Sequence, residues 1–206
     1  MIKLLIVLSF LFSAATQAAN HAANPKVDIT TNFGHIVLEL YPDKAPKTVQ
    51  NFLSYVKDGY YTGTTFHRVI SGFMIQGGGF DKTFKQKPTR PPIENEAANG
   101  LKNEIGSVAM ARTSDPHSAS AQFFINVADN AFLNHTARTP EGYGYTVFGK
   151  VIKGMEVVER IAGAPTNQGG PFPSEVPNVT VIIHEVRLLT AEPAPGAVPD
   201  DNPLVK

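Results

Sequence analysis

The sequence predicts a mainly β domain: a closed, barrel-like sheet with helices capping its ends. Three observations lead there. Short segments of strand-like alternation recur along the chain, turn-rich stretches separate them, and two helical patterns interrupt the series. Spacing of this kind supports the class and leaves the strand order open. The 206 residues suffice for one domain with a substantial core. Hydrophobic residues make up 42% and charged residues 17%, the balance of a globular protein rather than a disordered one.

Alternation begins at Val27, with Val27, Ile29 and Thr31 facing one way. Asn32, Phe33 and Gly34 can turn the chain, and Ile36, Leu38 and Leu40 share one face of the next segment, so the pair reads as an antiparallel hairpin. The clearest helix follows. Pro46 suits its first turn, where a missing N–H costs little. Val49, Phe52, Leu53 and Val56 recur at i, i+3, i+4 and i+7 as one apolar stripe, and Gly59 can end it. Strands are predicted at 65–70, 74–76, 107–111, 123–127 and 146–152. A second helix is expected over 155–162, stopping at Gly163, and a last strand over about 179–189.

The two ends read differently from this body. Met1, Ile2 and Lys3 make a short basic start, residues 4–12 are apolar apart from Ser9, and residues 13–19 are small apart from Gln17. That order is the pattern of a secretory signal peptide over 1–19, with Thr16 and Ala18 suited to the minus-three and minus-one positions of cleavage. The apolar run is short of the roughly 20 residues needed to cross a bilayer. Residues 20–26 then form a linker to the domain at 27–189, and the Pro-rich stretch 190–206, without apolar periodicity, is expected to be a disordered tail. The expected location is outside the cytoplasm, with no membrane association once the signal is removed.

Lys plus Arg equals Asp plus Glu at 18 each, so no overall field draws the chain to nucleic acid. Cysteine is absent, which excludes a disulfide scaffold, a thiolate metal site and a Cys nucleophile. The six histidines show no paired ligand spacing and no HExxH, and the glycine run 77–79 lacks the Lys-Ser/Thr of a phosphate loop, so it reads as a turn. No metal or cofactor is expected.

Two stretches can carry chemistry. In 66–79, a strand-turn-strand path can bring a cation, large apolar side chains and an amide to one surface, with Arg68, Phe73, Met74 and Gln76 as candidates. Taken alone, Phe73 and Met74 also suit a core and Arg68 a solvated face. In the second stretch, strand alternation puts Gln122 and Phe124 on one face and Phe123 and Ile125 on the other. A core face resists an unpaired amide, whereas a peptide-binding groove can use one.

The string FHRVISGFMIQGGGF at 66–80 resembles the cyclophilin signature around its active-site arginine, and AMAR (109–112), SASAQFFIN (118–126) and YTVFGKVIKGM (145–155) follow in the family's order and spacing. QFFINVADNAFL (122–133), with the exported start, is most similar to the periplasmic cyclophilins of Gram-negative bacteria. The resemblance spans about 27–189. It implies an eight-stranded antiparallel β-barrel capped by two α-helices, and a peptidyl-prolyl cis-trans isomerase that assists folding of exported, proline-containing polypeptides; the sequence leaves the oligomeric state open, with a monomer as the default. It also implies roles. Arg68 matches the catalytic arginine and Gln76 the glutamine that orients it. Phe73, Met74, Phe124 and Leu133 match the proline pocket. Ala111 and Arg112 match the segment whose backbone pairs with bound peptide, and Gln122 another groove residue. Phe132 and Tyr145 stand where familiar eukaryotic members have tryptophan and histidine. Both keep a ring in the groove, but Phe132 lacks the indole N–H donor, which puts strong binding of cyclosporin in doubt. The rival reading is a module that grips Pro-containing segments without turnover.

Overall fold

The computed structural model describes residues 23–189. The signal peptide expected at 1–19, residues 20–22 of the linker and the tail at 190–206 lie outside the described residues. Among the described residues, no helix is long and apolar enough to cross a membrane.

The chain opens with the predicted hairpin, β1 (Lys26–Thr31) and β2 (Gly34–Leu40), in register with Ile29 opposite Ile36 and Val27 opposite Leu38. Helix α1 (Pro46–Lys57) buries Val49, Phe52, Tyr55 and Val56. Its N-cap, Ala45, has no side chain to offer, and the free amides are served from a distance. The Glu96 carboxylate accepts from the Lys47 and Thr48 N–H groups and from the Thr48 hydroxyl at 3.1, 2.9 and 2.7 Å. A carboxylate there also suits the positive end of the helix dipole.

Next come β3 (Arg68–Ile70), β4 (Met74–Gly77), β5 (Ser107–Met110), β6 (Phe123–Asn126) and β7 (Val147–Lys153). Helix α2 (Met155–Ala162) starts at Gly154, whose φ is +85° and whose missing Cβ would stand 2.1 Å from the His35 carbonyl oxygen, so only glycine fits. A two-stranded hairpin, β8 (Thr166–Gly169) and β9 (Phe172–Pro177), precedes the last strand, β10 (Ile183–Leu189).

Eight strands form one antiparallel sheet in the order β10-β1-β2-β7-β5-β6-β4-β3, with β8 and β9 as a separate pair. The sheet is curled but not closed, which corrects the expectation of a closed barrel. The edge strands β3 and β10 do not pair along their length. The segment before β3 is tied instead to the start of β10 and the residues leading into it, by Phe66 N–H to Val181 O at 2.9 Å and Ile183 N–H to Thr64 O at 2.8 Å. With only three residues in β3, the edge is too short to complete a ladder.

The inner face is filled from every strand of the curl. Val27, Ile29, Ile36, Leu38, Leu40, Ile75, Val108, Phe123, Ile125 and Phe148 are all fully buried there. Phe52 of α1 plugs this core, edge-on to Phe123 at 5.6 Å and tilted against Phe148 and Tyr61, each at 5.2 Å. Each such ring contributes about 1.5–3 kcal/mol by burial.

Candidate active site

Strand pairing alone assembles a row of side chains on the outer face. Arg68 of β3 stands opposite Gln76 of β4, Gln76 opposite Phe124 of β6, Phe124 opposite Ala109 of β5, and Ala109 opposite Val147 of β7. Residues directly paired across antiparallel strands share a face, so the cation, the amide and the ring must emerge on one side. Phe123 and Ile125, one step away on β6, point inward by the same alternation.

Around that row a second apolar cluster forms, separate from the core: Met74, Phe124, Leu133, Ala109 and Val147, flanked by Phe73, Ala111 and Tyr145. Between the cluster and Arg68 lies a recess of about 100 Å³ lined by Arg68, Phe73, Met74, Gln76, Ala111, Arg112, Phe124, Leu133 and Tyr145. Every residue singled out from the sequence except Gln122 and Phe132 therefore borders one small cavity. Phe132, 75% exposed, stacks on Phe73 at the rim with centroids 5.6 Å apart. Gln122 lies just behind, its Oε1 accepting from Gln76 Nε2 at 3.0 Å. Gly79 makes room for it, since a Cβ there would stand 2.5 Å from the Gln122 side chain.

The polar side of the recess is a relay of fixed donors. Arg68 Nη1 lies 3.5 Å from Gln76 Oε1, the long limit of a hydrogen bond. Its Nε donates to Glu175 Oε2 at 2.6 Å. The Arg112 guanidinium, by contrast, is spent on scaffold. It donates to the carbonyls of Gly144, Thr113, Ser114 and Pro140 and lies 4.6 Å over the Tyr145 ring, tying the loops on either side of the cavity.

Sequence reading passed over three sets of residues that shape this site. Glu175 is one. A buried asparagine network is the second: Asn130 Nδ2 donates to the Phe73 carbonyl at 2.9 Å and to Asn126 Oδ1 at 2.7 Å, Asn126 donates to Ser107 Oγ, and Asn103 donates to the Leu133 carbonyl. These amides fix the backbone of two pocket residues, and satisfied buried networks of this kind rigidify what they hold. Asparagines recurring in the run 123–134, apolar otherwise except for Asp129, were the available signal. The third is His67. It is 2% exposed, packed between Phe80 and Phe172, and its Nδ1 has no hydrogen-bond partner. Burial, helped by the neighbouring Arg68 charge and opposed by a backbone hydrogen bond to Thr65, pulls its pKa from 6.5 down to about 4. A larger recess of about 390 Å³ lies beside His67, under the β8–β9 hairpin, lined by Asp81, Phe84, Asn167, Pro177 and their neighbours, but Arg68 does not border it.

Comparison with known proteins points to one family. Residues 26–188 match the family model described as cyclophilin type peptidyl-prolyl cis-trans isomerase/CLD. The chain is 58% identical over 163 residues to a peptidyl-prolyl cis-trans isomerase of Streptomyces antibioticus, covering 79% of this chain and 98% of that one. It is 56% identical over 160 residues to peptidyl-prolyl cis-trans isomerase B of Escherichia coli, covering 78% and 97%. A solved structure of a cyclophilin type peptidyl-prolyl cis-trans isomerase from Cryptosporidium parvum, determined in the presence of the dipeptide Ala-Pro, superposes with a TM-score of 0.68 at 30% identity over 80% of this chain and 99% of that one. This chain belongs to the cyclophilin-type peptidyl-prolyl cis-trans isomerases.

Proposed function

We propose that the recess holds a proline ring and that Arg68 catalyses rotation about the bond preceding it. The observation that carries this reading is the placement of a permanently charged guanidinium at the edge of an apolar slot the size of a pyrrolidine. The Ala-Pro dipeptide present with the Cryptosporidium relative supports the ligand class.

The barrier to be lowered is electronic. Resonance gives the C–N bond partial double character and a rotation barrier of about 18–20 kcal/mol, so X-Pro bonds isomerise in roughly tens to hundreds of seconds. No bond is broken, so no nucleophile is needed. At the half-rotated state conjugation is lost and the prolyl nitrogen becomes pyramidal, with a lone pair able to accept a hydrogen bond. A donor fixed beside that nitrogen favours the twisted state over both planar ones. Arg68 supplies it through Nη, and Gln76, braced by Gln122, holds the guanidinium near the slot. Phe73, Met74, Phe124 and Leu133 clamp the ring while the acyl side swings. The chain edge at Ala111 and Arg112 takes the peptide backbone, with Phe132 and Tyr145 flanking it. Burying a proline ring in such a slot contributes about 1–3 kcal/mol, which makes for weak, sequence-tolerant binding.

The basic, apolar and small-residue order of 1–19 supports export to the periplasm, where the clients are exported proteins in the course of folding. The deciding experiment is a coupled isomerisation assay of wild type against Arg68→Ala, with a thermal melt alongside. The expected result is a fall in kcat/KM on the order of 10²–10³ with the melt unchanged. Wild-type turnover in the variant would remove Arg68 from the mechanism.

A further inference from the structure

Arg68 is tethered by more than the groove. Its Nε donates to Glu175 Oε2, and Glu175 comes from β9, 107 residues further along the chain. Folding stability gives this pair little reason to exist, because its side chains are 39% and 37% exposed and ion pairs that wet contribute little. The backbone nevertheless carries a cost for it. Glu175 sits at φ +69°, in the left-handed region that residues with a Cβ avoid. Strain retained at a position that adds little stability points to work done by the side chain.

The geometry says what that work is. A guanidinium has one Nε–H and two Nη groups in a rigid plane. With Nε bound to Glu175, the plane is fixed and the Nη donors are left for the cavity. Gln76 alone is a loose tether at 3.5 Å. We propose that Glu175 is a positioning residue for Arg68, its carboxylate locking the Nε edge so that the Nη donors stay aimed at the twisted prolyl nitrogen. The proposal rests on the reading of Arg68 as the catalytic donor. It makes the β8–β9 hairpin part of the machinery, although the hairpin does not border the proline slot. An aimed donor acts on the transition state rather than on the planar substrate, so its loss is felt in kcat more than in KM.

The test measures kcat, KM and melting temperature for the full chain and for Glu175→Gln, Glu175→Gly, Arg68→Ala and the double variant Arg68→Ala/Glu175→Gln. Glu175→Gln, which keeps a neutral acceptor, is expected to lower kcat about threefold, and Glu175→Gly about tenfold, both with KM within roughly twofold of wild type. Glycine relieves the backbone strain, so its melting temperature should equal or exceed that of wild type while activity falls, a divergence a purely structural role cannot produce. The double variant should be no slower than Arg68→Ala, since the glutamate acts only through the arginine. Glu175→Gly turning over at the wild-type rate or faster, or a double variant clearly slower than Arg68→Ala, would overturn the proposal while leaving the Arg68 reading intact. Full activity in Arg68→Ala itself would sink the Arg68 reading first.

Discussion

Strands β4, β5 and β6 carry two apolar clusters back to back. On the inner face Ile75, Val108, Phe123 and Ile125 join a core sealed by α1 and its Phe52. On the outer face Met74, Ala109 and Phe124 join Leu133 and Val147 to make the floor of an open slot. The residue types are nearly the same, and so is the burial: Phe123 is 0% and Phe124 4% exposed. They differ in what stands opposite. Inward rings meet other rings and aliphatics on every side, whereas the outward ring shares its face with Gln76 and, beyond it, Arg68. A cluster closed by packing stabilises the fold. A cluster left open on one side, with polar groups at its edge, is free to stabilise a ligand.

That contrast can be broken by experiment. The largest effect is expected from the paired truncations Phe123→Ala and Phe124→Ala. The first opens a sealed cavity among rings and should cost about 3–5 kcal/mol in a thermal or urea melt. The second removes a wall that already borders the recess, so relaxation and water soften the loss to about 1–3 kcal/mol, while KM for an X-Pro peptide rises roughly tenfold. Equal losses of stability would mean that the two clusters are one core.

Next in size is a pH effect behind the slot. Burial holds His67 neutral in the folded protein down to about pH 4, whereas the unfolded chain takes up the proton near pH 6.5. The unfolded state therefore binds more protons in this window, and the stability contribution is complete above about pH 6.5. It is lost as pH falls toward 4, by about 3 kcal/mol in all. Unfolding free energies of wild type and His67→Gln between pH 4 and 7 check this, and a parallel pH dependence in both would dismiss His67 as the origin. The smallest effect on stability is at the rim. Phe132→Ala should leave the melt within about 0.5 kcal/mol, because the ring is mostly in water, yet raise KM roughly two- to fivefold by removing the stack on Phe73. An unchanged KM would take Phe132 out of the groove.

Much of this was legible from local pattern. The first hairpin, α1 and α2 are where periodicity and end signals put them, α2 running from Met155 to Ala162 as expected. The β8–β9 hairpin was not foreseen. Its sequences, TNQG and FPSEVP, have no sustained apolar alternation and include prolines, so nothing in them announces a strand. The final strand begins at Ile183 rather than near 179, because Val179, 61% exposed, lies on the approach loop instead of in the sheet. The closed barrel gave way to a curled sheet for a related reason: whether two distant edges pair is a property of their meeting, and local alternation does not report it.

Which side chains of each strand share a face is already written in the chain, because the two-residue period of an extended strand is set by local geometry. From that alone Gln122 and Phe124 part company with Phe123 and Ile125, and the resemblance of the strings around Arg68 supplied the family. What meets those faces depends on the assembled fold. Glu96 reaches the first turn of α1 across 48 residues and Glu175 reaches Arg68 across 107. Contacts at such separations depend on how the whole sheet curls, which no window of sequence contains.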